Sequence, residues 1–180
     1  MKKPLLILAL CISLSACAAS GPVYSSSLLP PVNHQAAQLV IYKMNGFSGS
    51  AADPSIIING KETCDLPNGS FFPIDIKASV ADILIKSFGI NAGERKIRIA
   101  RNKRTYIKIS TNIEKAFASG FGLAGDFTYS AATQQDPNNG SYRIDAVPAG
   151  EAQSDLVGLK QSLTCKYNIR PSIQAARLKN

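Results

Sequence analysis

The sequence predicts a mainly β protein: a small antiparallel β-sandwich followed by one C-terminal amphipathic helix. Three observations support this prediction. Short apolar segments alternate with turn residues, two segments alternate isoleucine with charged residues, and one late segment has helical spacing. The chain has 180 residues and a formal net charge of +8. This length accommodates one domain with a substantial core.

The first strands are marked by β-branched residues and tight turns. Residues 39–42 are β-branched and aromatic, and the pattern stops at Asn45-Gly46. Residues 55–58 and 61–66 flank Asn59-Gly60. This dipeptide favours a type I′ turn, because both central residues of that turn need a positive φ. The sequence therefore predicts a strand followed by a hairpin.

Two alternating segments follow the predicted strands at residues 71–76 and 80–88. Residues 96–99 and 106–109 each alternate isoleucine with a charged or polar residue, and a basic connection of hairpin length joins them. A period of two places the isoleucines on one face and the charges on the other. We therefore expect a second hairpin with one charged, solvent-facing side.

The chain ends with one more strand and a helix. Residues 142–147 read as a strand, and Pro148 is suited to begin a helix. Apolar residues then recur at helical spacing, with acids early and a lysine late, as the helix dipole favours. These apolar positions are Ala152, Leu156, Leu159 and Leu163.

The N-terminus has the order of a secretory signal. Lys2 and Lys3 precede an apolar segment that ends in Leu14-Ser15-Ala16-Cys17. This end resembles the lipobox of bacterial lipoproteins, which implies a signal peptide over residues 1–16 and lipidation of Cys17. Ala18 after the cysteine favours the outer membrane within that analogy. The alternative is cleavage after Ala18 by an ordinary signal peptidase, which releases a soluble periplasmic protein.

These boundaries divide the mature chain into three parts. Residues 17–36 contain glycines, prolines and serines that interrupt any helix or strand period, so we expect a flexible tether. A chain of this length spans roughly 20–25 Å. Residues 37–168 form the β-sandwich with its helix, and residues 169–180 form a basic tail.

The cysteines fit an exported domain. Of the four, Cys11 leaves with the signal and Cys17 is the lipidation residue, so Cys64 and Cys165 remain. Exported proteins fold in an oxidising compartment, and no Cys-x-x-Cys motif indicates redox chemistry. We therefore predict a structural Cys64–Cys165 disulfide that joins the helix to the sheet.

The order of these parts resembles a small bacterial envelope lipoprotein family of unknown function. Its domains are similar to transthyretin-like, immunoglobulin-like or PEGA-type β-sandwiches. The matching segments are Leu39-Val40-Ile41-Tyr42, Ile58-Asn59-Gly60-Lys61, Asn68-Gly69-Ser70-Phe71-Phe72, the segment at residues 104–109, and Gly150-Glu151-Ala152. Residues 77–80 depart from the family's Pro-Gly-x-His. The resemblance implies a fold and an envelope location, and it implies no activity.

No motif indicates catalysis. The one histidine, His34, lies in the predicted tether, which argues against Ser-His-Asp chemistry. The acidic residues are scattered, and no Cys/His cluster predicts a metal or another cofactor. The glycines at residues 120–125 lack the Lys-Ser/Thr end of a phosphate-binding loop. We expect no enzyme; a two-carboxylate hydrolase is the less favoured alternative.

The second predicted hairpin is the best candidate binding surface. Its exposed side collects basic residues that suit phosphate groups of anionic lipid or lipopolysaccharide. The alternative is a charged edge that only prevents aggregation. Export argues against nucleic acid as the partner. The residues of this predicted basic patch are Lys96, Arg98, Arg101, Lys103, Arg104 and Lys108.

Together these features predict a lipid-anchored, non-catalytic protein with a binding or structural role in a bacterial envelope. We expect it in the outer membrane, facing the periplasm, with the cell surface as an alternative. Its expected partners are the membrane, through the anchor at Cys17, and other envelope proteins. A second hypothesis is an accessory subunit of an envelope secretion or transport machine, which binds through an open sheet edge or the loop at residues 120–140.

Overall fold

The computed structural model describes residues 19–46, 53–112 and 140–165. Within them, nine strands form two sheets and one α-helix follows, which confirms the predicted mainly β fold. The predicted signal peptide, Cys17 and the basic tail lie outside the described residues, as does the predicted loop except Gly140. The elements are β1 (Ala37–Lys43), β2 (Ser55–Ile58), β3 (Lys61–Asp65), β4 (Ser70–Ile76), β5 (Val80–Ser87), β6 (Ile90–Arg98), β7 (Arg104–Thr111), β8 (Tyr142–Val147), α1 (Ala149–Leu156) and β9 (Lys160–Gln161).

The larger sheet has the strand order β8-β7-β1-β4-β9. Its central strand β1 runs antiparallel to β4 and parallel to β7, and β9 runs parallel to β4. The sheet is therefore mixed, whereas the sequence predicts antiparallel pairing throughout. All seven residues of β1 are buried. A strand covered on both faces is expected to read as a continuous apolar run, as residues 39–42 do.

The smaller sheet is antiparallel, with the order β3-β2-β5-β6. The predicted β2–β3 hairpin is confirmed, and Asn59 and Gly60 have φ values of 50° and 75°. Phe88 and Gly89 connect β5 to β6 with φ values of 51° and 79°. Both loops thus have the positive φ at two successive residues that a type I′ turn requires.

Two apolar layers hold the elements together. The inner layer lies between the sheets and includes Ile41, Phe72, Ile83 and Ile107. The outer layer lies on the far face of the larger sheet, where Ala152 and Leu156 of α1 and Leu29 pack against the strands. The strand residues of this outer layer are Val40, Tyr42, Phe71 and Tyr106. The molecule therefore has three layers: the smaller sheet, the larger sheet, and a cover made by α1 and the N-terminal segment.

The helix is shorter than its apolar spacing predicts. It ends at Leu156, and Gly158 has a φ of 82°, which an L side chain rarely adopts. Leu159 therefore lies beyond the helix, and Lys160 belongs to β9. Ala152 and Leu156 are fully buried, as predicted. The helical prediction was wrong beyond Leu156, because the chain turns back to add a strand.

The described part of the predicted tether is packed on the domain. Tyr24 N donates to Leu159 O at 2.7 Å, and Gln161 N donates to Pro22 O at 2.8 Å. Val23 forms an antiparallel bridge with Lys160, and Leu29 is 6% exposed. The prediction of a flexible segment was therefore wrong for residues 19–36, which are packed on the domain. Backbone hydrogen bonding to a strand needs no side-chain periodicity, so the Gly/Pro/Ser composition did not reveal it.

Candidate functional site

The structure divides the predicted basic patch between two sheets. β6 pairs with β5 in the smaller sheet, whereas β7 pairs with β1 and β8 in the larger one. The prediction of a β6–β7 hairpin was therefore wrong. Because the two sheets stack through their apolar faces, the charges of β6 and β7 face opposite sides of the molecule. Lys96 and Arg98 cannot share a face with Lys108.

Two of the predicted patch residues hold the outer layer in place. Arg104 donates from Nε to Gln38 Oε1 at 2.5 Å and from Nη2 to Pro30 O at 2.8 Å. Lys108 Nζ lies 2.8 Å from Asp155 Oδ2 and 3.7 Å from Glu151 Oε1. Arg104 thereby fixes the N-terminal segment, and Lys108 fixes the helix. The contacts of both side chains are therefore made within the protein and stabilise its fold.

Three exposed residues of the predicted patch lie together at one end of the sandwich. Arg98 closes β6, and Arg101 and Lys103 lie in the following connection; all three are exposed. Lys96 lies on the same sheet, 3.7 Å from Asp82 Oδ2, and its side chain is 68% exposed. We name Arg98, Arg101 and Lys103, together with the nearby Val80, the basic end.

The opposite end of the sandwich is defined by the strand registers. Lys43 pairs with Ser70, and Ser70 pairs with Lys160, so these residues share one end of the larger sheet. The turn at Phe88 belongs to the same end, because Gly93 of the adjoining β6 lies against the Tyr142 backbone and the Tyr142 ring lies beside Lys43. We name this the apolar end, after its exposed large hydrophobic residues Met44, Phe88 and Val157.

The described chain begins at the apolar end. Ala19 is 5% exposed and lines a shallow pocket of about 190 Å³. The other lining residues are Asn45, Asn68, Gly69, Gly158 and Lys160. Gly69 has a φ of 68°, and a Cβ there would collide with the Asn45 side chain. The lining includes no carboxylate, so this pocket does not supply the pair of acids that a two-carboxylate hydrolase needs.

A hydrogen-bonded group links α1 to the larger sheet. Tyr42, fully buried, donates from its hydroxyl to Asp155 Oδ2 at 2.8 Å, and Lys108 donates to the same oxygen. Burial alone raises the pKa of Asp155, but the hydrogen bonds from Lys108 and Tyr42 outweigh it and hold the pKa below its usual value. Burial and the Asp155 hydrogen bond raise the pKa of Tyr42. Asp155 therefore stays ionised and paired with Lys108, while Tyr42 stays protonated and donates to it. This arrangement suits a structural role in holding α1 on the sheet.

A second buried group lies at the apolar end. Lys43 is 3% exposed, and its Nζ lies 5.6 Å from the centre of the Tyr142 ring. Burial lowers the pKa of Lys43, although the nearby Asp53 opposes that shift. Burial also raises the pKa of Asp53. The sequence analysis missed this group; the signal was a lysine directly after the apolar run at residues 39–42.

The predicted cysteine pair is together in the structure. The Sγ atoms of Cys64 and Cys165 are 1.90 Å apart, a bonding distance. Cys64 belongs to β3 of the smaller sheet, and Cys165 follows β9 of the larger sheet. The bond therefore joins the two sheets, whereas the sequence predicted that it joins the helix to a sheet. The difference follows from the earlier end of α1.

The remaining features considered in the sequence are the histidine, metal ligands and membrane-spanning segments. His34 is exposed in the segment before β1. In the ranges that the structure describes, no cluster of His, Cys, Asp and Glu side chains is placed to hold a metal ion. Among the same residues, no helix has the length and apolar character needed to cross a bilayer.

Comparisons with protein-family models, with curated proteins and with solved structures found no match to this chain.

Proposed function

We propose that this protein is a lipid-anchored, non-catalytic protein of a bacterial envelope, attached to the outer membrane through Cys17. The resemblance of its N-terminus to a lipobox supports the anchor. The position of Ala19 in the structure also supports an anchor close to the domain. This residue is buried at the apolar end and is only two positions from Cys17. The domain therefore sits next to its anchor rather than at the end of a long tether.

The charged and hydroxyl side chains beneath the cover of the larger sheet are paired within the protein, which supports a binding or structural role. Lys108, Asp155 and Tyr42 contact one another, and Arg104 contacts the N-terminal segment. These contacts fix the cover on the larger sheet. The described chain is thus packed on the domain from Ala19, two positions from the proposed anchor, which suits a protein that is held at a membrane surface.

The test is the intact mass of the mature protein, extracted from membranes without reduction. We expect a chain that begins at Cys17, carries acyl mass and lacks two hydrogens because of the disulfide. The variant Cys17→Ser should lose the acyl mass and leave the membrane fraction. Cys11→Ser is the matched control, because Cys11 also lies in the N-terminal segment but is removed with the signal peptide.

A bare chain that begins at Ala19 would contradict the proposal. The protein would then be a soluble exported domain, and the membrane would not be its partner.

A further inference from the structure

We propose that the apolar end of the sandwich lies against the lipid bilayer, with the basic end pointing away from it. This inference rests on the proposed anchor at Cys17. It specifies which surface of the domain touches lipid. Three independent observations support it.

The first observation is the position of the most exposed apolar side chains. Phe88 is 78% exposed and Val157 is 74% exposed, more than any other large hydrophobic residue that the structure describes. Single exposed apolar residues are common on protein surfaces. These two belong to different layers of the fold, yet both project from the same end. A flat surface such as a bilayer can contact both side chains at once.

The second observation is the backbone conformation of Phe88. Its φ of 51° lies in the left-handed region, where a bulky residue is unfavourable. The other two-residue hairpin of this sheet uses Asn59-Gly60, which suits a type I′ turn. Turn formation therefore does not explain a phenylalanine at position 88. A contact made outside the domain does, because residues in strained conformations are often functional.

The third observation identifies the bilayer as the occupant. Ala19 lies at the apolar end, beside Gly158 and Lys160. Two residues of extended chain reach at most about 7 Å, so acyl chains on Cys17 must enter the membrane close to this end. Lys160 is exposed there and offers an ammonium group to lipid phosphates. Apolar side chains at such a surface lie roughly 5–10 Å deep in the interface.

In this orientation the basic end lies far from the membrane. β5 has eight residues and connects the two ends, which corresponds to about 25 Å. That distance is about three Debye lengths at physiological salt. Arg98, Arg101 and Lys103 would therefore not sense the lipid phosphates, and they would face the aqueous compartment instead.

Single tryptophans provide the test, because the natural chain contains none. Phe88→Trp and Val157→Trp report on the apolar end. Val80→Trp is the matched control, since Val80 is 41% exposed and pairs with Arg98 at the basic end. The full lipidated chain is placed in phosphatidylethanolamine–phosphatidylglycerol vesicles with brominated acyl chains, which quench nearby tryptophan. Circular dichroism checks that each variant is folded.

We expect the Phe88→Trp and Val157→Trp proteins to lose most of their emission, while Val80→Trp keeps its emission. If the protein is acylated and bound to vesicles but both apolar-end reporters stay bright, the orientation is wrong and the anchor stands. If Val80→Trp alone is quenched, the basic end faces the membrane and the inference is overturned. A protein without acyl mass that stays off the vesicles overturns both proposals.

Discussion

The outer faces of the two sheets differ in what covers them. On the larger sheet, α1 and the N-terminal segment bury Val40, Tyr42 and Phe71. On the smaller sheet, Lys96 and Arg98 point outward and are exposed. β7 presents a similar alternation of isoleucine and cation, yet its Lys108 is paired beneath the helix. The same alternation of isoleucine and cation therefore gives a solvent-exposed face in the smaller sheet and a face covered by α1 in the larger sheet.

The largest test of this difference removes an aromatic ring from the covered face. Phe71 is fully buried, and its ring contacts that of Tyr24 edge-on with centroids 5.3 Å apart. Phe71→Ala should lower the free energy of unfolding by about 3–5 kcal/mol, because it leaves a cavity under the cover. Leu84→Ala on the outer face of β5 is the control, and its expected cost is about 1 kcal/mol.

Urea unfolding followed by circular dichroism measures both variants. Equal losses would mean that the cover adds no burial, and the distinction between the two faces would fail.

The disulfide couples the covered sheet to the solvated one. Cys64 and Cys165 are 101 positions apart in the sequence, so their bond restricts a long loop of the unfolded chain. Replacing both cysteines with alanine should cost about 2–5 kcal/mol. Reductant should destabilise the natural protein by a similar amount and leave the double variant unchanged. A double variant as stable as the natural protein would show that packing alone holds the two sheets together.

Sequence reasoning succeeded here where the structure is local. The Asn59-Gly60 hairpin follows from the φ preferences of two adjacent residues, and Pro148 precedes the helix directly. Burial of the isoleucines at positions 97, 107 and 109 follows from a period of two. In each case, the residues that determine the outcome are within a few positions of one another.

The failures involve partners that are distant in sequence. The alternation in β6 and β7 indicates which side chains point inward, but it does not indicate which strand lies alongside. β7 pairs with β1, more than sixty positions earlier, and Val23 bridges to Lys160. The predicted patch is divided between two sheets for this reason. The exposed residues of the patch lie within eight positions of one another in the chain: Lys96, Arg98, Arg101 and Lys103.

A smaller test compares the two acids that face lysines on the outer faces. Asp155 accepts hydrogen bonds from Tyr42 and Lys108, and its side chain is 17% exposed. Asp155→Asn should cost about 1.5–3 kcal/mol, because the amide keeps an acceptor oxygen but loses the negative charge that pairs with Lys108 in this mostly buried position. Asp82 faces Lys96 at 3.7 Å with a side chain 39% exposed, so Asp82→Asn should cost at most about 1 kcal/mol. A larger loss for Asp82→Asn would reverse the comparison.

The same carboxylate predicts an acid dependence. The pKa of Asp155 is lowered in the folded protein, because the hydrogen bonds from Lys108 and Tyr42 outweigh the effect of burial. Its contribution is therefore present above the unfolded pKa of about 4 and is lost as the pH falls through the lower folded value. The stability difference between the natural protein and Asp155→Asn should shrink on acidification. A difference that stays constant through this range would exclude the ionised clamp.

The smallest expected effect distinguishes Arg101, which lies in the connection from β6 to β7, from Arg104, which begins β7. Arg104 donates to Pro30 O and Gln38 Oε1, whereas Arg101 is exposed. Arg104→Gln should loosen the N-terminal segment and speed amide hydrogen exchange between residues 22 and 36, with little change in global stability, because local openings need not unfold the core. Arg101→Gln should leave exchange there unchanged. Equal exchange in both variants would mean that the segment is held by its pairing with β9 alone.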